Sequence, residues 1–541
     1  MLAREPVRTE SSSIRPPTSH RMLRVHTTTR LALFRPPSSL PSRYHSNPVS
    51  PWLRNQSHGN VDQIRTTHTR NPFTFFKRYT KWCFFAFSGI GITLLSAVAA
   101  THLWIEKVEF AAESDKNCIE WQWDVEAERW GQSQMGGTDP SLGFMARFGV
   151  RSAWLEHHWT SPGTLKQVKP PSNRISSFDD AAPIERRLET VRGFLDGVLD
   201  IALPKESAGP SLSQTVTDIL IRRADVSERM GTKAGLSDAR YDLQRVWNRL
   251  PAEGPLASRI ALKLGDLNFR LGDSDNALAW WARCIRMTSS STESTQTTPL
   301  IPVIPASPPS SPAEQRVLAS ALVSLSAFYA TSGKLRQAQA LEESALDLLR
   351  SIRAPGPPPP PPSPQTLHTL YILHRTSLIS IHLAEVLYAL KNPPAQSLKW
   401  LSQAAQSSEQ VAFRLSGLPT IHPKAPDSKI PHPPSPDAPL LAEYSKSVSM
   451  KKPAKSLLRD ARRSAAEAWN LLGVLHEGKG DIQSLKTSLD CYERALGWAG
   501  MATNGNGRTG EGILEVEWKA LWGNYGRVRE ALHAKTTESR K

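Results

Sequence analysis

The chain has 541 residues, 39% of them hydrophobic, with 43 prolines and a formal net charge of +16. That length accommodates about two or three folded units, and the clustering of the prolines assigns much of the remainder to linkers. The charge does not describe a nucleic-acid groove: residues 1–81 carry 14 Lys or Arg against Glu5, Glu10 and Asp62, which leaves only +5 for the following 460 residues, so the excess belongs to targeting and topology.

Residues 1–70 are rich in Arg, Ser, Thr and Pro, and Arg21–Arg35 mixes basic and apolar residues as an amphipathic presequence does. This resembles a mitochondrial presequence, cleaved near Arg43 and Tyr44; a disordered basic tail is the plainer alternative. Residues 82–105 contain no Asp, Glu, Lys or Arg. As a helix they are ~36 Å long, enough to cross a ~30 Å hydrocarbon core with some tilt. Arg70, Lys77, Arg78 and Lys81 precede this span, and Glu106, Glu109, Glu113 and Asp115 mix with Lys107 and Lys116 after it. The asymmetry predicts the basic side inside, that is, in the matrix. Gly89, Thr93 and Ala97 place small residues on one face of the span.

Residues 106–166 read as a helical juxtamembrane region dense in tryptophan, with Trp121, Trp123, Trp130, Trp154 and Trp159 beside Phe144 and Phe148. They fit either a partner-binding or interfacial collar or ordinary packing onto the next domain. His157 and His158 are neighbours in sequence and are not expected to share a helix face, which argues against a metal pair.

Helical periodicity begins near Asp179 and divides into segments over 179–285, 316–353, 366–416 and 441–534. Between them lie Ser/Thr/Pro-rich stretches at 286–315, 354–365 (including Pro357–Pro362) and 417–440, expected to loop out as disordered or polyproline-type insertions. The clearest unit carries Leu264-Gly265, Gly272, Ala277, Trp281 and Cys284. Small residues sit where two antiparallel helices cross, a glycine closes the turn, and large apolar residues fill the space between. A second unit in the same register shows Leu325, Tyr329, Gly333, Ala338 and Ala345, and a third Tyr388, Asn392, Ser397, Leu401 and Ala404. The last has Trp469, Leu472-Gly473, Tyr492 and Ala495, with three extra residues between turn and second helix. An upstream unit shows Ala239, Leu243, Val246 and Pro251 but departs from the pattern at Ser227 and Met230. Residues 513–533 are expected to cap the open end.

These residues resemble the tetratricopeptide repeat (TPR). The resemblance implies an all-α fold: a TPR-like helical-hairpin solenoid with proline-rich disordered insertions, preceded by a single transmembrane helix. It also implies a peptide-binding groove on the first helices, with Arg259, Lys263, Asp266, Phe269 and Arg270 as candidates facing away from the Ala277 crossing. Clamping an acidic chaperone tail would require Lys and Asn where this chain has Leu262 and Asp266, and Asp266 would repel a carboxylate.

No catalytic, cofactor-binding or metal-ligating constellation is legible, so the chain is expected not to be an enzyme. Gly473 to Lys479 imitates a phosphate loop, but Gly480 stands where Ser or Thr would hold magnesium, and no strand precedes it. Cys83, Cys118, Cys284 and Cys491 show no disulfide or zinc spacing. Presequence, single span and repeats together resemble the adaptor subunit of the fungal mitochondrial inner-membrane i-AAA protease. That implies an inner-membrane protein with its repeats in the intermembrane space, gathering unfolded polypeptides for a membrane-bound protease, with no nucleic-acid partner. A TPR assembly factor for a respiratory complex and an outer-membrane import receptor are the alternatives.

Overall fold

The protein is described here by a computed structural model over residues 72–131, 133, 136–159, 181–208, 210–251, 254–288, 302–352, 361–417, 440–499 and 518–538. The expected presequence and residues 289–301, 353–360 and 418–439 of the proline-rich insertions lie outside these residues. Among the described residues the fold is all-α, with seventeen α-helices and no strand.

The first helix, α1 (Pro72–Trp104), begins ten residues before the expected span and ends in a π-helical turn, Ile105–Glu109. Among the described residues this is the one helix long and apolar enough to cross a membrane, and its apolar window is not buried against the body. The region expected to be helical after it is helical in pieces, interrupted by irregular backbone. It holds only the short α2 (Lys116–Glu120) and α3 (Trp123–Glu126) before α4 (Gly143–Trp159).

The body then runs as α5 (Ala181–Ala202), α6 (Pro210–Met230), α7 (Lys233–Trp247), α8 (Pro255–Leu271), α9 (Ser274–Thr288), α10 (Pro312–Thr331), α11 (Leu335–Ile352), α12 (Ser363–Ala389), α13 (Pro394–Ser416), the short α14 (Ala442–Ser445), α15 (Lys451–Glu477), α16 (Ile482–Trp498) and α17 (Trp518–Glu538). Short turns join α6 to α7, α8 to α9, α10 to α11, α12 to α13 and α15 to α16. Their chemistry is local: Gly272 and Gly333 turn at φ 89° and 73°, where a Cβ would be strained, and Thr232 and Asp481 cap α7 and α16 by accepting from Gly235 and Ser484 amides. The insertion expected over 286–315 is shorter than predicted: α9 continues to Thr288, and Ile304 packs on the core around α10 and α11. Ser311 then caps α10.

The hairpins cross where a small residue meets a large one. A Cβ on Gly265 would lie 2.5 Å from the Trp281 indole, and one on Gly473 2.6 Å from the Tyr492 ring. The second pair is separated by three more residues than the first because α16 begins ten positions before Tyr492, whereas α9 begins seven before Trp281. Between α10 and α11 the equivalent places hold Ser326 and Glu342, hydrogen-bonded at 2.7 Å. Ala277, Ala338, Ala345 and Ala495 are fully buried in the same seams. At the end of the stack α17 lies on α16, with Arg527 bridging to Glu477 at 2.7 Å.

Gly265→Ala is therefore expected to destabilise the body by ~1–3 kcal/mol through overpacking. Gly193→Ala, in helix α5 with nothing within 4 Å of the new methyl, is expected to be neutral or to stabilise by ~0.5–1 kcal/mol. Urea midpoints of the two variants check the contrast.

The Ser326–Glu342 pair makes a second prediction. Burial pushes the Glu342 carboxyl up to about 8, partly opposed by the Ser326 hydroxyl, and Glu342 Oε2 has no hydrogen-bond partner among the described residues. A raised folded-state value contributes stability that is present below the unfolded value and is lost as pH rises toward 8. Glu342→Gln removes that loss, so its stability relative to the parent chain should climb between pH 5 and pH 8 by on the order of 3 kcal/mol. Urea midpoints at the two pH values measure it.

Candidate functional site: the inner face of the helical stack

The first helices of successive hairpins share one side of the stack: α8 packs on α10, α10 on α12, and α12 on α15. On α8, Lys263 pairs with Asp225 of α6, and Arg270 pairs with Glu228 of α6 at 2.6 Å. Arg259, Lys263 and Arg270 thus lie on the side expected for a groove. Asp266 and Phe269 do not face away from the hairpin crossing. The Asp266 carboxylate accepts from the Trp281 indole at 3.0 Å, and the Phe269 ring lies 5.8 Å from both Trp281 and Phe328. These five side chains, spread over about three turns of α8, cannot all point outward, because Trp281 must be covered from the α8 side. Burial raises the Asp266 carboxyl to about 6, against the Ser324 and Trp281 hydrogen bonds that lower it.

This side of the stack is occupied by the chain's own segment between α1 and α4. Ile105, Phe110 and Trp130 enter the core cluster of α4–α8, and Cys118 and Trp123 enter that of α12, α13 and α15. Tryptophan demands this: each buries a large ring area, and Trp123, fully covered, still satisfies its indole N–H on the Pro364 carbonyl at 3.0 Å. Trp121, Trp123, Trp130 and Trp154 pack into the body, whereas Phe144 and Phe148 on α4 and Trp104 at the end of α1 remain exposed.

Arg316 at the start of α10 organises the segment's middle. Its guanidinium is 1% exposed and lies 3.9 Å from the Trp123 ring centroid. It donates to Glu126 at 2.5 Å, to the Trp121 and Gln122 carbonyls at 3.2 and 3.1 Å, and to His368 Nδ1 at 3.2 Å. Arginine only donates, so Nδ1 accepts and the His368 Nε2–H donates to Gln315 Oε1 at 3.0 Å. Burial first, and Arg316 second, hold His368 down to about 3, so the imidazole is neutral. Gln122 sits at φ 54°, which turns its amide oxygen to accept from the Ser311 hydroxyl and the Ala313 amide at 2.7 and 3.1 Å. Arg259 donates to the Val125 carbonyl at 3.2 Å.

Toward its ends the segment is held by charge. Glu128 pairs with Arg222 of α6 and with Lys452 of α15, and lies 3.6 Å from Arg229. Burial would raise its carboxyl, but Arg222 and Lys452 outweigh this and keep it well below the usual range. Helices far apart in the stack thus reach one carboxylate, which requires the stack to curve around it. Glu113 accepts from the Ser449 amide and hydroxyl at 2.9 and 2.6 Å. An acidic, tryptophan-bearing segment therefore lies on a basic face formed by Arg222, Arg229, Arg259, Arg316 and Lys452. Arg222, Arg316 and Lys452 were not singled out by sequence; the one available signal was the tryptophan density of 121–159, which needs a large covering surface.

His157 and His158 do come together, contrary to expectation, with ring centroids 4.5 Å apart beside Trp130. They meet because both rings fold back onto the indole rather than projecting radially. Among the described residues no group of three or more His, Cys, Asp or Glu is arranged to hold a metal ion. A cavity of about 120 Å³ lined by Leu349, Leu373, Thr376, Ser380 and Ser407 is well below the ~300–1,000 Å³ of small-molecule sites. Gly473 and Gly480 of the loop-like string serve a helix crossing and a turn. Compared with known protein families and with curated proteins, the chain matches none.

Proposed function

We propose that this chain is a membrane-anchored, TPR-type scaffold without enzymatic activity, targeted to mitochondria and held in the inner membrane by residues 82–105, with its helical body in the intermembrane space. In this reading it is an adaptor that binds polypeptides and brings them to a membrane-bound AAA protease. What supports it is one arrangement: an exposed apolar helix of spanning length precedes stacked helical hairpins whose crossings pair small with large side chains.

The occupied inner face favours a second reading of the same scaffold. Displacing residues 113–130 would expose Trp123 and Trp130 and strip Arg316 of its partners, at a cost on the order of 5 kcal/mol. A competitor on that face would then bind ~10³–10⁴-fold more weakly than its intrinsic affinity. Capture of unfolded clients there is disfavoured, and a scaffold of fixed shape holding folded subunits, as a respiratory-complex assembly factor does, gains weight.

Affinity purification of the tagged chain from solubilised mitochondria, combined with its deletion, separates the two. Co-purification of an AAA protease and slower turnover of inner-membrane substrates supports the adaptor. Normal turnover with failed assembly of a respiratory complex replaces it with the assembly factor. Digestion of the body by protease added to intact mitochondria moves it to the outer membrane.

A further inference from the structure

We infer that the start of α4 is a membrane-contacting surface: Phe144, Met145 and Phe148 sit in the lipid bilayer's interfacial region beside the end of the α1 span. The inference rests on the reading of α1 as a membrane span and extends it to the folded body.

Phe144 and Met145 are 75% and 70% exposed, as bare as Phe87 and Leu95 within the span itself. They belong to a helix whose other face is fully buried at Ala146, Val150 and Ala153, so their exposure comes from a deliberate second apolar face. This face is continuous with the span. The His102 ring stacks on Phe148 at 4.3 Å, and Phe148 lies 6.5 Å from Phe144, so an unbroken line of rings leads from α1 to the first turn of α4. His102 meets Phe148 whereas Trp104, two residues nearer the C-terminal end of the span, meets Trp154 at 6.0 Å. The N-terminal end of α4 is therefore its span-proximal end. Leu103 and Val108 are exposed at the same level.

The polar groups of this junction are arranged for a membrane boundary. Glu106, the first acid after the span, is buried and neutralised by Arg147 at 2.7 Å and Arg151 at 3.2 Å, with Thr138 donating to it. The first carboxylate after the span is thus paired rather than bare. Lys205 is exposed with its ammonium 3.8 Å from where a Cβ on Gly143 would stand, a placement suited to lipid phosphate. Aromatic side chains beside a basic residue at the end of a span are the composition that bilayer interfaces favour. A second protein on this patch would have to share it with the lipid that already surrounds α1, so the bilayer is the occupant the geometry selects.

The test uses the full chain in phosphatidylcholine/phosphatidylglycerol vesicles, in a Cys83→Ser background, because the other cysteines among the described residues are buried. Nitroxide labels are attached at Phe144→Cys, Met145→Cys, Leu94→Cys within the span, and Tyr241→Cys, an exposed site on α7. Relative accessibility to oxygen over a water-soluble nickel chelate is expected to be several-fold higher at 144 and 145 than at 241, and highest at 94. If 94 is protected and 144 and 145 behave like 241, the membrane contact is refuted while the span reading stands, and a protein partner for the patch takes its place. If 94 also behaves like 241, the span reading fails and this inference falls with it.

Discussion

Replacing Arg316 by methionine is expected to lower the stability of the body by ~3–5 kcal/mol, because a buried charged donor is removed while its acceptors stay behind. Glu126, the Trp121 and Gln122 carbonyls and His368 all lose the same guanidinium, and Trp123 loses the cation lying over its ring. Methionine replaces much of the apolar volume but none of the hydrogen bonds. The damage should be local first: Arg316 makes most of the bonds that fasten residues 121–126 to α10, with Gln122 adding others at Ser311 and Ala313, so limited proteolysis within that stretch should speed up before the remaining hairpins unfold. Urea denaturation followed by tryptophan fluorescence gives the magnitude. A loss under 1 kcal/mol with unchanged proteolysis would mean that Glu128 and Glu113 hold the segment without it.

Glu409→Leu is expected to cost a similar ~3–5 kcal/mol at the other end of the molecule. Glu409, almost fully buried on α13, accepts from the indoles of Trp469 and Trp498 at 2.7 Å each and from Arg494 at 2.6 and 2.5 Å. One carboxylate thus satisfies three side chains from α15 and α16, and leucine would leave two indole N–H groups and a guanidinium without acceptors in the core. Near-UV circular dichroism should report the loss of fixed tryptophan environments at a lower denaturant concentration than in the parent chain. Glu409→Gln, which keeps an acceptor oxygen, should recover part of the difference.

The hairpins were legible because their determinants are local. Gly265 and Trp281, or Gly473 and Tyr492, announce a close crossing within a single helix–turn–helix, and the three extra residues of the last hairpin could be counted directly. The α10–α11 hairpin was legible in its alanines and turn glycine but not at its crossing, where Ser326 and Glu342 substitute a hydrogen bond for an aromatic ring against a small residue. That exchange is invisible without knowing that Glu342 is buried. The least legible part was the inner face. Arg316 and Lys452 look like ordinary helix-end cations, and nothing within several residues of either indicates Glu126 or Glu128, almost two hundred and more than three hundred positions away. The candidate list drawn from α8 therefore caught Arg259, which does touch the segment, together with Asp266 and Phe269, which serve the crossing with α9.

The route of residues 105–131 also fixes when the molecule can finish folding. Glu113 waits for Ser449, 336 positions later in the chain, and Glu128 for Lys452, so the first folded-body residues to be synthesised are among the last to find their partners. Local hairpins such as α8–α9 can close within their own length, but the tryptophan-rich stretch cannot be covered until α15 is made and in place. Until then Trp121 and Trp123 lack the helices that cover them, whereas Trp130 needs only α4–α8, and exposed rings of this kind promote aggregation or recruit chaperones. Truncation anywhere before residue 449 would leave Trp121 and Trp123 in that state permanently.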